Sequence, residues 1–206
     1  MSALTPQERG RVGMYCLIGA EAAMFTIFVV AYLFYLGKSV TGPTPKDVLH
    51  APVLFTICLL SSSLTAHVAV RALGRGKTNA FERWWLLTIT LGAIFLLGTA
   101  REWRHLIFDE GLTISTNLFG TTYYSLVGLH AFHVTLGLLA LSTVAAFALL
   151  GHLRKEHAGR VEVLSMYWHF VDGVWIVVFY SGLCCRNLTK SKRRPPRHGR
   201  SFWRSA

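Results

Sequence analysis

Apolar residues in this chain fall in long unbroken runs, not in alternating or heptad patterns. Five runs, at 12–36, 52–70, 84–103, 123–150 and 163–183, each supply about the 20 residues that a helix needs to cross a hydrocarbon core. With their flanks they predict helices over about 12–36, 52–73, 84–103, 121–151 and 163–185. Segments of about ten alternating residues, the mark of a membrane β-barrel, are not seen. The expected fold class is therefore an all-α integral membrane protein, a bundle of five transmembrane helices within one domain at 1–187. Turn residues separate the runs: Gly42-Pro43-Thr44-Pro45, then 74–78, then the polar stretch 110–116. The first run follows a polar start with no A-x-A cleavage site, so it reads as a retained helix and not a signal peptide. From Trp84 to Trp103 is nineteen steps, about 28 Å of helix, which predicts Trp84, Trp85 and Trp103 at the two interfaces. Small residues at helical spacing, Ser61/Thr65/Ala69 and Gly19/Ala23, predict close helix contacts. No period of 20 to 50 residues recurs, which disfavours repeat folds and an internally duplicated transporter.

Composition strengthens this picture. Of 206 residues 52% are hydrophobic and 15% charged, and the mean hydropathy is +0.42, values foreign to a soluble domain. Cys16, Cys58, Cys184 and Cys185 show no C-x-x-C spacing and lie in or beside apolar runs, so neither a disulfide scaffold nor a zinc module is expected. The net charge of +11 is concentrated in a tail: residues 186–206 hold eight Lys/Arg and no acid. The remainder carries 13 Lys/Arg against 10 Asp/Glu, so a nucleic-acid surface has no support. A basic C-terminal tail is assigned to 188–206, with too few apolar residues to order by itself. With the N-terminus cytoplasmic, Arg9, Arg11, Arg71, Arg75, Lys77, Arg83, Arg154, Lys155 and Arg160 lie inside. Lys38, Lys46, Arg101 and Arg104 then lie outside. Five spans put the C-terminus outside, and the basic tail opposes that count.

Ionisable groups at membrane depth are costly and mark function by default. They are Glu21, His67, Glu102 near a span end, His130, His133, His169 and Asp172. His130 and His133 are three apart and share a helix face, as do His169 and Asp172, which predicts a hydrogen bond from the His169 ring to Asp172. No Lys or Arg lies between Val12 and Gly37, so Glu21 has no basic partner within its own helix. A helical di-metal centre would use a repeated Glu-x-x-His, absent here. A proton-coupled transporter would show a broken helix pair, also absent. The residues alone describe a bundle with buried polar contacts and no self-sufficient catalytic or metal set.

Tyr167-Trp168-His169-Phe170-Val171-Asp172-Gly173-Val174-Trp175 closely resembles the last-helix signature of subunit III of the heme-copper oxidases, the cytochrome c oxidase family. Gly128-Leu129-His130-Ala131-Phe132-His133-Val134 is similar to the family's G-x-H-x-x-H-V. Arg11-Val12-Gly13-Met14, Glu21-Ala22-Ala23-Met24-Phe25, Ser61-Ser62-Ser63-Leu64-Thr65 and Leu91-Gly92 through Glu102-Trp103 fit in the family order, over about 9–187. Two positions depart from it. Thr99 stands where the family commonly has Gln, and Gly173 where a bulky residue is common, leaving space or admitting closer helix approach.

The resemblance implies the short, five-helix bacterial form, in the cell inner membrane, lacking two helices that wall a lipid-filled cleft in the longer form. It implies a supporting subunit of a respiratory, proton-translocating oxidase. Such a subunit has no catalytic centre or metal of its own, packs directly on subunit I, has subunit II and other subunits of the complex as further partners, binds phospholipid, and sustains proton uptake and turnover stability. Heme and copper belong to the partner subunits. Carried over by position, Glu21 is the intramembrane carboxyl, Glu162 the acid before the signature, and Trp168, His169 and Asp172 its core. His67, Glu102, His130 and His133 complete the implied polar interior. A small subunit of a quinol oxidase or a nitric oxide reductase-associated protein fits the same resemblance. An autonomous membrane metalloenzyme and a transporter are the readings from other classes.

Overall fold

The computed structural model describes residues 6–35, 53–108 and 118–191. The turn expected at Gly42-Pro43-Thr44-Pro45, the loop at 110–116 and the tail from 192 onward lie outside the described residues. So do the side chains of Cys184 and Cys185. The helices are α1 (Pro6–Tyr35), α2 (Val53–Gly74), α3 (Thr78–Phe108), α4 (Leu118–Leu149) and α5 (Ala158–Ser191), with a 3-10 turn at Lys155–His157 before the last. All five are long and apolar enough to cross a membrane, and no strand occurs among the described residues. Several extend beyond the apolar runs, α3 and α5 most. Apolar length measures the hydrocarbon, whereas the helix continues until a turn residue stops it.

The stops are visible in two connections. Gly76 has φ 75° and Gly151 φ 73°, the left-handed conformation that glycine adopts without steric cost. At the first, Lys77 N–H donates to Ala72 C=O and Gly76 N–H to Leu73 C=O; at the second, His152 donates to Phe147 and Gly151 to Ala148. Both are Schellman endings that satisfy the last carbonyls of α2 and α4 and return the chain at once into the bilayer.

Lipid tails are as apolar as leucine, so helix association here depends on close fit and on polar contacts, not on hydrophobic burial. α2 and α3 form the closest pair, and α5 packs against α1, α2 and α4. Trp168 of α5 is fully buried at the centre. Its Nε1–H donates to Ser62 Oγ at 3.0 Å, and its ring lies over Gly92 of α3 and Gly137 of α4. A Cβ at those glycines would stand 3.0 and 2.8 Å from ring atoms. Gly98 likewise makes room for Phe55. Thr65 and Thr88 join α2 to α3 through their hydroxyls at 2.8 Å.

One sequence expectation is refined and one corrected. Trp85 turns into the bundle: it is fully buried and donates to the Leu141 carbonyl of α4 at 2.9 Å, while Trp84 next to it, at the same depth, stays exposed. Adjacent helix positions face about 100° apart, so one tryptophan of a pair turns inward. Gly19 and Ala23 face outward and make no helix contact, because α1 turns Phe25 and Tyr32 to the core instead. Thr65 and Ala69 are buried and Ser61 partly so, as the spacing predicts.

Candidate functional site

Glu21, Ser63, His133, His169 and Asp172 each stand near the midpoint of a membrane-spanning helix, so they form a polar layer halfway through the bundle. At this depth no water competes, and every polar atom needs a partner inside the protein.

Glu21 of α1 meets His133 of α4, with Oε2 at 3.0 Å from Nε2. No Lys or Arg lies between Val12 and Gly37 to face it, and the fold supplies a basic partner from another helix. The other ring nitrogen, Nδ1, lies 2.7 Å from the Leu129 carbonyl, which only accepts, so Nδ1 carries a hydrogen. A single further proton then occupies the gap. It sits on the carboxyl and is donated to Nε2, or sits on Nε2 and is donated to the carboxylate. Both arrangements are neutral as a pair, which suits a low-dielectric layer. Phe25 closes over the imidazole edge-on at 5.1 Å.

His169 and Asp172 lie on one face of α5, but no hydrogen bond joins them, contrary to the expectation from spacing. Ser63 of α2 inserts between them. Its hydroxyl donates to Asp172 Oδ2 at 2.5 Å, and its oxygen is 2.8 Å from His169 Nδ1. Ser63 has one hydrogen, so with that hydrogen on Asp172 it accepts from Nδ1–H. Nε2 is then left to accept from the Ser165 hydroxyl at 3.1 Å. The result is a directed chain of three hydrogen bonds ending on a carboxyl whose second oxygen, Oδ1, is buried and unpartnered among the described residues. His67 of α2 lies outside this chain, exposed, with its ring 6.5 Å from that of His169.

The remaining residues are dispersed. His130 does not join His133: it turns toward α3 and α5, stacks on Trp175 at 4.9 Å and meets Phe95 at 5.9 Å. Both its ring nitrogens are buried without a partner among the described residues. Three residues along a helix leave about 60° between side chains, so the two imidazoles share one side of α4 but meet different neighbours, Glu21 of α1 for one and the aromatic core for the other. Thr99 returns its hydroxyl to the Phe95 carbonyl at 3.1 Å. Glu102 lies at the far end of α3, near His105 and Tyr123. Glu162 is at the opposite end of the bundle, paired with Arg11 at 2.8 Å, which ties the start of α5 to the start of α1. Ser62, Ser63, Ser165 and Arg11 carry contacts for which the sequence assigned no role. Serine spacing alone does not say which neighbour a hydroxyl meets.

Gly173 opens space and does not draw helices closer, since a Cβ there would meet nothing within 4 Å. It lines an apolar hollow of about 420 Å³ between α1 and α5, with Ala22, Phe25, Val29, Phe170 and Val177 among its walls. Among the described residues no three His, Cys, Asp or Glu side chains converge as a ligand set.

These features define a multi-pass membrane protein in which Glu21, Ser63, His133, His169 and Asp172 make polar contacts between helices. Residues 6–183 match the family described as cytochrome c oxidase subunit III, and the chain belongs to that family. It is 40% identical over 171 residues to cytochrome c oxidase subunit 3 of a Synechocystis species, covering 81% of this chain and 72% of that protein. It is 34% identical over 184 residues to cytochrome c oxidase subunit 3 of Corynebacterium diphtheriae, covering 87% and 89%. It is also 29% identical over 177 residues to quinol oxidase subunit 3 of Bacillus subtilis, covering 84% and 86%.

Proposed function

We propose that this chain is the non-catalytic subunit III of a terminal heme-copper oxidase in a bacterial cell membrane. In this reading it packs on the heme-bearing subunit I, holds phospholipid, and sustains proton uptake and durable turnover. The family match over 6–183 carries the assignment. The polar layer supports the non-catalytic role: Glu21 and His133 join α1 to α4, and Ser63 with His169 and Asp172 joins α2 to α5. The hollow beside Gly173 has the apolar lining and the position between α1 and α5 that suit an acyl chain. Exposed Arg71, Arg75, Lys77, Arg83, Arg154 and Lys155 gather at the end where α1 begins, which supports a cytoplasmic N-terminus.

Relatives named for cytochrome c and for quinol oxidases align over nearly the same share of the chain, so the electron donor is assigned to the other subunits. The reading is tested by purifying the complex through a tag on this chain. A heme-bearing subunit in stoichiometric amount is expected, and its absence overturns the proposal.

A further inference from the structure

The outward face of α2 differs from the other lipid-facing surfaces of the bundle. Ile57, Leu64, His67, Val68 and Arg71 follow a helical stripe and are all exposed. His67 lies within the span Val53–Gly74, about two turns from its C-terminal end. Helical side chains tilt toward the N-terminus, so its imidazole leans toward the bilayer centre, not toward the nearer interface, and its ring lies 6.5 Å from that of His169. Both nitrogens of His169 are already engaged by Ser63 and Ser165. His67 has no hydrogen-bond partner among the described residues.

Exposed hydroxyls elsewhere in the spans show what a lipid-compatible polar group looks like. Thr26, Thr90 and Thr143 each return their hydroxyl to the carbonyl four residues earlier, at 2.7, 2.9 and 2.9 Å, and so need nothing from outside. His67 makes no such bond, although the buried His133 ring makes one to the Leu129 carbonyl. The outward stripe of α1, Ala23, Ile27, Val30 and Phe34, has no polar group at all. Acyl chains satisfy α1 and fail His67, for which an unpaired ring nitrogen in hydrocarbon is costly.

We infer that the α2 face centred on His67 is where a transmembrane helix of the partner subunit packs, presenting a hydroxyl, amide or carboxylate to His67 at mid-bilayer depth. Leu64 and Val68 flank that contact as packing surface, and α1 faces lipid. The inference rests on the reading of the chain as an oxidase subunit and adds the docking face and its chemistry.

The experiment places the photo-crosslinker p-benzoylphenylalanine at Leu64, Val68 or, as the lipid-facing control, Val30, in the full chain within the assembled complex. Irradiation is expected to join Leu64 and Val68 to the heme-bearing subunit and Val30 to lipid alone. His67→Leu is expected to lower the amount of this chain retained on the complex about fivefold, the effect of one interhelical hydrogen bond, with His67→Gln restoring most of it. Cross-links from Val30 and none from Leu64 or Val68, in a complex that still co-purifies, overturn the docking face and leave the proposed function standing. Cross-links from Leu64 to a second copy of this chain also overturn it. Failure to co-purify with any heme-bearing subunit overturns both.

Discussion

One proton shared by Glu21 and His133 makes substitutions at the two partners unequal. In Glu21→Gln the amide still donates to or accepts from Nε2, so the helix contact survives and thermal stability of the purified protein is expected to change little. Glu21→Ala leaves His133, whose side chain is 6% exposed, with a buried nitrogen facing nothing, at a cost of about 1–3 kcal/mol. Denaturation midpoints of the two variants in one detergent separate these outcomes. His130 provides the complementary case. Both its nitrogens are already unpartnered among the described residues, so His130→Leu forfeits only ring stacking and is expected to cost less than His133→Leu, which breaks two hydrogen bonds. An equal or larger loss at His130 contradicts the hydrogen-bond assignment.

Helix association depends on where glycine admits a large side chain. Gly92→Ala and Gly137→Ala push a methyl into the Trp168 ring, which is held by Ser62 and has nowhere to move, and each is expected to cost about 1–3 kcal/mol. Gly173→Ala meets open space and is expected to leave the unfolding midpoint unchanged or slightly higher. A purified Gly173→Trp is expected to retain less phospholipid, measured as bound phosphorus, because the indole fills the hollow. The spans were legible in the sequence because twenty apolar residues in a row have few other uses. Which side of each span faces protein was less legible: every helix is apolar nearly all round, so Trp84 and Trp85, or Gly19 and Gly92, look alike until neighbours are present. The polar residues were identifiable from their cost in lipid, but their pairing across helices was not. Spacing reports only neighbours on the same helix, and Ser63 reaches Asp172 from another.

At the scale of the molecule, α1 is the least buried of the five spans. Beyond packing, its ties include the Glu21–His133 contact at mid-depth and the Arg11–Glu162 pair at one end. That pair is nearly half exposed, so its share is roughly 0.2–1 kcal/mol at most. Hydrogen exchange is therefore expected to be fastest in α1, and faster still in Glu21→Ala. The other four helices share tryptophan and glycine contacts that fix them as a unit, presenting the α2 face with His67 to one side. In the proposed function the whole molecule is a scaffold on which a larger redox subunit packs. That claim is tested most directly by purifying the oxidase with and without this chain and following oxygen consumption and heme spectra through repeated turnover. The expected result is unchanged heme spectra and initial rate, with activity decaying several-fold faster when the chain is absent; immediate loss of the heme signal, or stoichiometric heme or metal on the isolated chain, would contradict it.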